Sequence, residues 1–276
     1  MPLYDLSYRR FEGPRTSRFR RSFALARSAA SLLLRRRSFL LLLAVSWIPA
    51  VVRAVQIYVA RQFPEAPDFF TITPETWREF LGQQVRFLPV VLVSLATGAS
   101  AIASDFASGA FTIYLSKPIS RLDYVLGKAM PVAGAVSAVT LAPALALLLL
   151  QLSLAPDFAL LSKAPWLPLA VTAYSLFLAL YFTLSVLAVS SLCRSGRVAG
   201  AGFAALVFGS EIVARTATSR VFGAPRFLSL NGSAIDAGRW FFGDSAAVAP
   251  LVFMIGVIAL SALVLDRRLR SGEGAQ

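Results

Sequence analysis

The chain has 276 residues, of which 57% are hydrophobic and 15% are charged, and its formal net charge is +13. A water-soluble domain of this length needs more polar surface, so the composition predicts a membrane protein. The single cysteine excludes an intramolecular disulfide framework, and the lack of histidine removes the commonest zinc ligand and general base. The basic residues lie beside hydrophobic stretches, as membrane topology requires, so nucleic acid is not expected as a partner.

Residues 1–37 are predicted to be a basic cytoplasmic leader. Within it, residues 17–37 mix phenylalanine and leucine with arginine, which indicates an amphipathic helix on the inner membrane surface with its arginines facing lipid phosphates. The alternative is that the arginines only orient the first membrane span. A cleavable signal peptide is not expected, because the leader is too long and the apolar run after it is long enough to remain as an anchor.

Six apolar stretches are long enough to cross a bilayer, which takes about 20 residues. They are residues 38–60, 85–104, 129–154, 166–192, 198–217 and 246–265. Backbone in lipid must satisfy its hydrogen bonds internally, so each is predicted to be a helix, with kinks expected at Pro49 and Pro143. The sequence thus predicts an all-α membrane protein, with a six-helix domain over residues 38–265 and a cytoplasmic tail over residues 266–276.

Basic residues predict the orientation of these spans. The leader, the loops after spans two and four, and the tail hold 18 lysines and arginines, whereas the opposite side holds 7. Since Lys and Arg are enriched in cytoplasmic segments, both termini are predicted to be cytoplasmic.

Two outer loops carry predicted structure. In the first, Thr73, Pro74 and Glu75 predict a helix start, and this helix is expected to continue into span two. The last outer loop, of about 28 residues, mixes aromatic residues with Gly, Pro and Arg, and we expect short interfacial or re-entrant helices there.

Three charged residues lie clearly within predicted spans, away from the span ends: Arg53, Glu211 and Arg215. Glu211 and Arg215 are four residues apart on one helix and can form a local pair. Arg53 and Glu211 are predicted to lie at similar depth, in the outer third of the membrane. Either Arg53 extends to the outer headgroups, or it contacts Glu211 and so joins spans one and five.

Small residues recur every four positions on two spans. Ala201, Ala205 and Gly209 form such a face on span five, and Ser94 and Gly98 do so on span two. These faces let helices approach closely, either within the chain or at a seam with a second subunit.

The stretch from Asp105 to Lys128 is unusually polar for this chain. Pro118 breaks it, and Ser120 with Asp123 predicts that a short surface helix restarts before span three. Gly127 is expected to let that helix turn into the span. Judged on these residues alone, the stretch is either a rigid loop that a soluble partner grips or an ordinary solvated turn.

The same stretch resembles the cytoplasmic loop of ABC-2 type permeases, the membrane subunits of a class of ABC exporters. That family shows an acidic residue and a Gly-Thr or Gly-Ala pair near the end of span two, then Leu-Ser-basic-Pro, an Arg, and Gly-Lys before span three. The matching positions here are Asp105, Gly109 with Ala110, residues 115–118, Arg121, and Gly127 with Lys128. The basic leader and the six spans fit as well, so the resemblance covers most of the chain.

This resemblance implies partners and a role for the loop. It implies a separate soluble ABC ATPase, which would carry ATP and magnesium, a second permease subunit, and residence in a bacterial cytoplasmic (inner) membrane among membrane lipids. It assigns contact with the ATPase to a set of loop residues: Asp105, Gly109, Ser116, Lys117, Pro118, Ser120, Arg121, Tyr124, Gly127 and Lys128.

Other functions fit the residues less well. The chain has no P-loop, since Leu122 stands where the first glycine is required and Ala129 where the magnesium-binding hydroxyl is required, so no cofactor is expected on this chain. An intramembrane enzyme lacks a suitable base. An ion-coupled secondary transporter usually carries ionisable groups at the bilayer midplane, and a non-transporting scaffold that passes ATPase motion to other proteins is a further alternative.

Overall fold

The computed structural model describes residues 18–62, 73–86, 88–110, 120–154, 164–220 and 228–271, and every regular element in these ranges is helical. The α-helices are α1 (Arg18–Leu34), α2 (Arg37–Ser46), α3 (Ile48–Gln62), α4 (Pro74–Arg86), α5 (Pro89–Gly98), α6 (Ala103–Ala107), α7 (Arg121–Val139), α8 (Leu141–Leu154), α9 (Leu167–Leu192), α10 (Gly196–Arg220), α11 (Leu230–Phe241) and α12 (Val248–Ser271).

Six stretches of the described residues are long and apolar enough to cross a membrane, as predicted. They are Arg37–Ala60, Pro89–Ala107, Arg121–Leu154, Leu167–Leu192, Gly196–Thr216 and Ser245–Arg270. In the apolar 18-residue stretch of span four, which is formed by α9, 67% of the residues are buried, whereas the corresponding share in spans one, five and six is 17–22%. Helix α9 is therefore the centre of the bundle, and the three peripheral spans leave apolar surface for lipid or a second subunit.

Prolines divide two of the spans. Span one changes from α2 to α3 at Trp47, just before Pro49, and span three changes from α7 to α8 at Thr140, just before Pro143. A proline ring clashes with the carbonyl four residues earlier, which explains why each break precedes its proline. The indole N–H of Trp47 donates to the carbonyl of Ala138 over 3.0 Å, so the two breaks lie side by side.

The start of span two differs from the prediction. The helix that begins at Pro74 ends at Arg86 instead of continuing, and α5 begins separately at Pro89. Pro89 has no backbone N–H and disfavours helical dihedrals in the residue before it. Leu88 accordingly takes a left-handed φ of 73°.

Span two is also interrupted near its inner end, and a buried serine stabilises the interruption. The chain leaves the helix between α5 and α6. The hydroxyl of Ser190 on α9 accepts from the backbone N–H groups of Ile102 and Ala103 at 3.1 and 3.0 Å, and it donates to the carbonyl of Ala99 at 2.8 Å. Since Ser190 is fully buried, it supplies partners that neither water nor the helix provides.

The small-residue faces have different surroundings. Gly98 on span two packs directly against the side chain of Val186 on α9, so this face serves packing within the chain. On span five, Ala201 and Ala205 are exposed, and a Cβ at Gly209 would meet nothing within 4 Å. The face on span five is therefore open in the single chain, whereas the face on span two is not.

The last outer loop forms a short buried helix, as expected. Helix α11 packs along α9, where Tyr174 donates to the carbonyl of Ala234 at 2.6 Å and Tyr181 donates to the carbonyl of Leu230 at 3.3 Å. Tyr181 lies near the middle of the 26-residue α9. The N-terminus of α11 thus lies deep in the bundle, which makes α11 re-entrant.

Candidate functional site

The polar stretch between spans two and three is held together by one buried carboxylate. Oδ2 of Asp105, at the inner end of span two, lies 2.6 Å from Nζ of Lys128 and accepts from the hydroxyl of Tyr124 at 2.8 Å. Asp105 is 8% exposed and Tyr124 is fully buried, and Nζ of Lys128 lies 5.7 Å from the centre of the Tyr124 ring. The two ends of the loop are therefore joined by a buried, hydrogen-bonded ion pair, which we call the loop clamp.

Local sequence explains where the helices beside the loop end and begin. Helix α6 ends at Ala107, and Gly109 follows with φ +69°, the left-handed conformation that commonly stops a helix. Ser120 accepts from the backbone N–H of Asp123, and the Asp123 carboxylate accepts from the backbone N–H of Ser120, which forms the predicted N-terminal cap of α7. Ser116, Lys117 and Pro118 lie outside the described residues.

Gly127 has a different role from the one predicted. Helix α7 continues through Gly127 to Val139, so no surface helix separates from span three and no turn occurs there. A Cβ at Gly127 would lie only 2.5 Å from Cδ2 of Leu25 on α1. The absence of a side chain at Gly127 therefore lets α1 and α7 pack closely. This role requires no unusual backbone conformation at the glycine.

Helix α1 is fixed against the first turns of α7. Ser22 and Ala26, four residues apart, are buried at 2% and 6% exposure, and Ser22 Oγ lies 3.5 Å from Oδ1 of Asp123. Residues four apart lie on one helix face, so this small face is the one that meets α7. The leader helix predicted from the arginines is thus present, and it is attached to the loop clamp.

The first turns of α7 present opposite faces. Asp123, Tyr124 and Gly127 are buried, whereas Leu122 and Leu126 are 73% and 49% exposed. Two large apolar side chains on one face beside a buried ion pair give a rigid, uncovered ridge.

A second contact joins spans two, four and six at the end of the bundle that carries the loop clamp. The guanidinium of Arg268 lies 5.7 Å from the centre of the ring of Phe106, the residue that follows Asp105. Arg268 Nε also donates to the carbonyl of Ser191 at 3.3 Å. This cation–π contact connects the loop clamp to α12.

Two of the three charged residues within the spans, Glu211 and Arg215, form the predicted local pair. Arg215 Nε donates to Oε1 of Glu211 at 2.8 Å, and Ser229 Oγ donates to Oε2 of Glu211 at 2.6 Å. Both carboxylate oxygens of Glu211 thus bond to residues other than Arg53, which favours the local pair over a contact between Arg53 and Glu211.

The location of Glu211 has a structural explanation. Ser229 caps α11 by accepting from the backbone N–H of Gly232 at 2.8 Å, and the N–H of Leu230 donates to Ser210 Oγ at 3.2 Å. The Glu211 carboxylate thus lies at the N-terminus of the re-entrant helix, where the helix dipole favours a negative charge. Ser210 and Ser229 are partners that sequence reasoning missed: Ser210 directly precedes Glu211, and Ser229 lies 18 residues after it.

Helix α11 is also fixed at its other end. Arg239 donates to Oδ2 of Asp244 from Nε at 2.9 Å and from Nη2 at 2.6 Å, and Oδ1 of Asp244 accepts from the N–H of Ala246 at 3.0 Å. The Arg239 bond, followed by the Ala246 bond, lowers the pKa of Asp244 below its usual value. Both bonds connect α11 to the start of span six.

Two residues that pack beside the loop clamp were not identified from the sequence. Ser22 and Leu25 make the contact between α1 and α7, and their only sequence signal is the spacing of Ser22 and Ala26 on one helix face. The described residues contain no group of three His, Cys, Asp or Glu side chains that could hold a metal ion.

Comparison with known families agrees with this architecture. The family described as "ABC-2 family transporter protein" matches residues 25–226, which is more than half of the chain and includes the loop clamp and five of the spans. Among curated proteins, none matches the chain. With six candidate spans in an all-helical bundle and a family match of this extent, the chain belongs to the ABC-2 family of transporter proteins, multi-pass membrane components of ABC transporters.

Proposed function

We propose that this chain is the permease subunit of an ATP-driven transporter, that it couples to a separate ATPase through residues 105–128, and that it forms the translocation pathway with a second permease subunit. The ATPase carries the ATP and magnesium. Both termini lie in the cytoplasm of a bacterium, and the chain spans its inner membrane. The observation that carries this proposal is the loop clamp formed by Asp105, Tyr124 and Lys128.

The argument for coupling rests on rigidity. A flexible loop absorbs the motion of an attached subunit, whereas a loop whose two ends are joined by a buried ion pair moves with the helices that carry it. Because α7 is continuous from Arg121 to Val139, a push on its first turn shifts the part of span three before the break at Thr140 as a body.

The contacts around the clamp extend this motion. Helix α1 packs on α7 through Leu25 and Gly127, and Arg268 connects Phe106 to span six. A displacement of the clamp is therefore transmitted to the leader helix and to three spans. The exposed Leu122 and Leu126 give the ATPase an apolar ridge, and Arg121 supplies forked hydrogen bonds to its acidic residues.

Co-purification of the cognate ATPase tests this proposal. We expect Leu122→Glu, Arg121→Glu and Pro118→Gly to leave membrane insertion intact. Each reduces recovery of the ATPase or uncouples ATP turnover from transport in nanodiscs. Arg267→Glu is the matched control, since Arg267 is an exposed arginine at the inner end of span six.

The outcomes separate the alternatives. Unchanged binding and unchanged coupling in all three variants would show that the stretch is an ordinary loop. Transport that follows an ion gradient without ATP turnover would indicate a secondary transporter, and ATP turnover coupled to the chain without movement of cargo would indicate a scaffold.

A further inference from the structure

Helix α1 does not pack tightly along its whole length against spans one and three. A cavity of about 440 Å³ remains there, with apolar walls from α1, α2 and α7. Its lining includes Leu33 and Leu34 of α1, Phe39 and Leu43 of α2, and Ala138 of α7. A volume in the range of about 300–1,000 Å³ is typical of pockets that hold small molecules. We call this cavity the α1 groove.

The α1 groove is open at the surface of the chain. Phe23 and Leu34, which line it, are 53% and 55% exposed, so neither closes the cavity. Gly134, also in the lining, is exposed, and a Cβ there would meet nothing within 4 Å. An apolar cavity in this position is available to an acyl chain.

One end of the groove is basic. Arg27 lines both the α1 groove and a second depression, of about 700 Å³, which Arg20 also lines. Seven residues place the two arginines on one face of α1, about 10 Å apart along the axis. Ser28 and Ser31 lie in the same depression, but their hydroxyls already donate to backbone carbonyls at 2.8 Å. The guanidinium groups are therefore the donors that face a ligand there.

We propose that the α1 groove binds one anionic phospholipid, with an acyl chain between α1, α2 and α7 and its phosphate at Arg20 and Arg27. Guanidinium groups make forked, charge-assisted hydrogen bonds to phosphate, and the apolar walls accept the chain. The lipid belongs to the leaflet at which α1 lies, which is the cytoplasmic leaflet in the proposed orientation. Lipid binding does not otherwise depend on the proposed coupling to an ATPase.

Charge favours a lipid over a second copy of the chain. Arg20 and Arg27 are exposed on α1. In a two-fold dimer the same patch meets itself, so this face would bring the two arginines against their own copies. Like charges so close repel, whereas an anionic headgroup neutralises them.

Native mass spectrometry of the purified full chain tests the site. Dioleoyl-phosphatidylglycerol and dioleoyl-phosphatidylcholine are titrated separately into the detergent-solubilised protein. We expect one phosphatidylglycerol to bind about tenfold more tightly than phosphatidylcholine, because both lipids carry a phosphate but the choline ammonium is repelled by the two arginines and cancels the charge of its headgroup.

Two variants separate the headgroup from the chain. The double variant Arg20→Gln and Arg27→Gln should bind both lipids equally, because only the charge contact is lost. Gly134→Leu should weaken both lipids, because its side chain enters the groove. Matched controls are Arg267→Gln, an exposed arginine elsewhere, and Gly256→Leu, a span-six glycine whose Cβ also meets nothing within 4 Å. Both controls should bind as the wild type does.

Three results would overturn the proposal. The first is a wild-type chain without preference for phosphatidylglycerol. The second is wild-type binding in both the arginine variant and Gly134→Leu. The third is loss of bound lipid whenever the chain dimerises, since this would mean that a second copy covers the groove. If Gly134→Leu fails to fold, the arginine variant and its control still decide the headgroup contact. Each result leaves ATPase co-purification unaffected, so the two proposals fail separately.

Discussion

At the scale of single residues, the loop clamp explains why a charged pair is tolerated at the membrane surface of this chain. The side chains of Lys128 and Asp105 are 12% and 11% exposed, so each charge has lost most of its water. Desolvation of a charge is compensated only when its partner and hydrogen bonds are in place, and Tyr124 supplies the additional bond.

Removal of one charge from the clamp should therefore be costly. We expect Asp105→Asn or Lys128→Gln to lower the free energy of unfolding by about 3 kcal/mol, because a buried charge then lacks its partner. Unfolding in mixed detergent and SDS micelles measures this change. Asp266→Asn is the control, since Asp266 pairs with Arg270 at an exposed position. Its effect should be below about 1 kcal/mol. Equal effects for the clamp and the control would contradict a buried pair.

The contacts of Glu211 give a second expectation at this scale. Glu211 and Ser229 share a hydrogen bond of 2.6 Å, and Arg215 donates to the other carboxylate oxygen of Glu211 at 2.8 Å. A double-mutant cycle with Glu211→Gln and Ser229→Ala should give a coupling energy of about 0.6–1.7 kcal/mol, the range of such pairs in membranes. The cycle with Glu211→Gln and Arg53→Gln should give a coupling energy near zero. Coupling of Arg53 as strong as that of Ser229 would restore the contact between spans one and five.

At the scale of elements, breaks in the spans are supported by side chains on neighbouring helices. Span two leaves the helical conformation between Gly98 and Ala103, and Ser190 on α9 provides partners for three of the backbone groups there. A single hydroxyl thus supplies the hydrogen bonds that these backbone groups do not make within the helix.

Ser190→Ala should destabilise the bundle. Two N–H groups and one carbonyl would be left without their bonds to this side chain, and each unsatisfied buried group costs about 1–3 kcal/mol. We expect the free energy of unfolding to fall by about 2 kcal/mol or more. Ser185→Ala is the matched control, because the Ser185 hydroxyl donates only within its own helix, to the Tyr181 carbonyl at 2.7 Å. A loss for Ser190 no larger than that for Ser185 would mean that the break is satisfied in another way.

The elements that sequence predicts best are those with a local chemical cause. Pro74, Pro49, Pro143 and the Ser120 cap act on residues within one helical turn, and the structure has a helix start or break at each of them. Pro89 is a signal of the same kind, and the structure has a helix break before it. The hydrophobic pattern around Pro89 favours one continuous helix, which is why the prediction of such a helix is wrong there. Such signals are not sufficient alone, since Pro131 lies inside α7 without ending it.

Contacts between distant residues could not be predicted in this way. Asp105 and Lys128 are separated by a loop, and their pairing depends on how spans two and three are arranged on α9. The role of Gly127 depends on Leu25, about 100 residues earlier. A composition rule identifies Gly127 as unusual, but only the packing of α1 on α7 shows that it is needed for close approach.

At the scale of the whole molecule, orientation in the membrane determines which surfaces a cytoplasmic ATPase can reach and from which leaflet a lipid can bind. The loop clamp, α1 and Arg268 lie at one end of the bundle, and α4 with the C-terminal end of α11 lies at the other. The segments predicted to lie on the side of the loop clamp hold 18 lysines and arginines, and the segments predicted to lie on the opposite side hold 7. Since Lys and Arg resist translocation, this end should stay in the cytoplasm.

Reporter fusions at three positions test this orientation. Alkaline phosphatase is active only outside the cytoplasm, and green fluorescent protein serves as the opposite reporter. Fusions after Pro156, which follows span three, should be phosphatase-positive and non-fluorescent. Fusions after Ser116, between spans two and three, and after Gln276 should be fluorescent and phosphatase-negative. The Ser116 fusion is the internal control, because it reports the side of the coupling loop directly. Matching signals at Pro156 and Gln276 would require an even number of crossings between them and would contradict the six-span arrangement. Opposite signals with Ser116 outside would invert the molecule and place the loop clamp beyond the reach of any cytoplasmic ATPase.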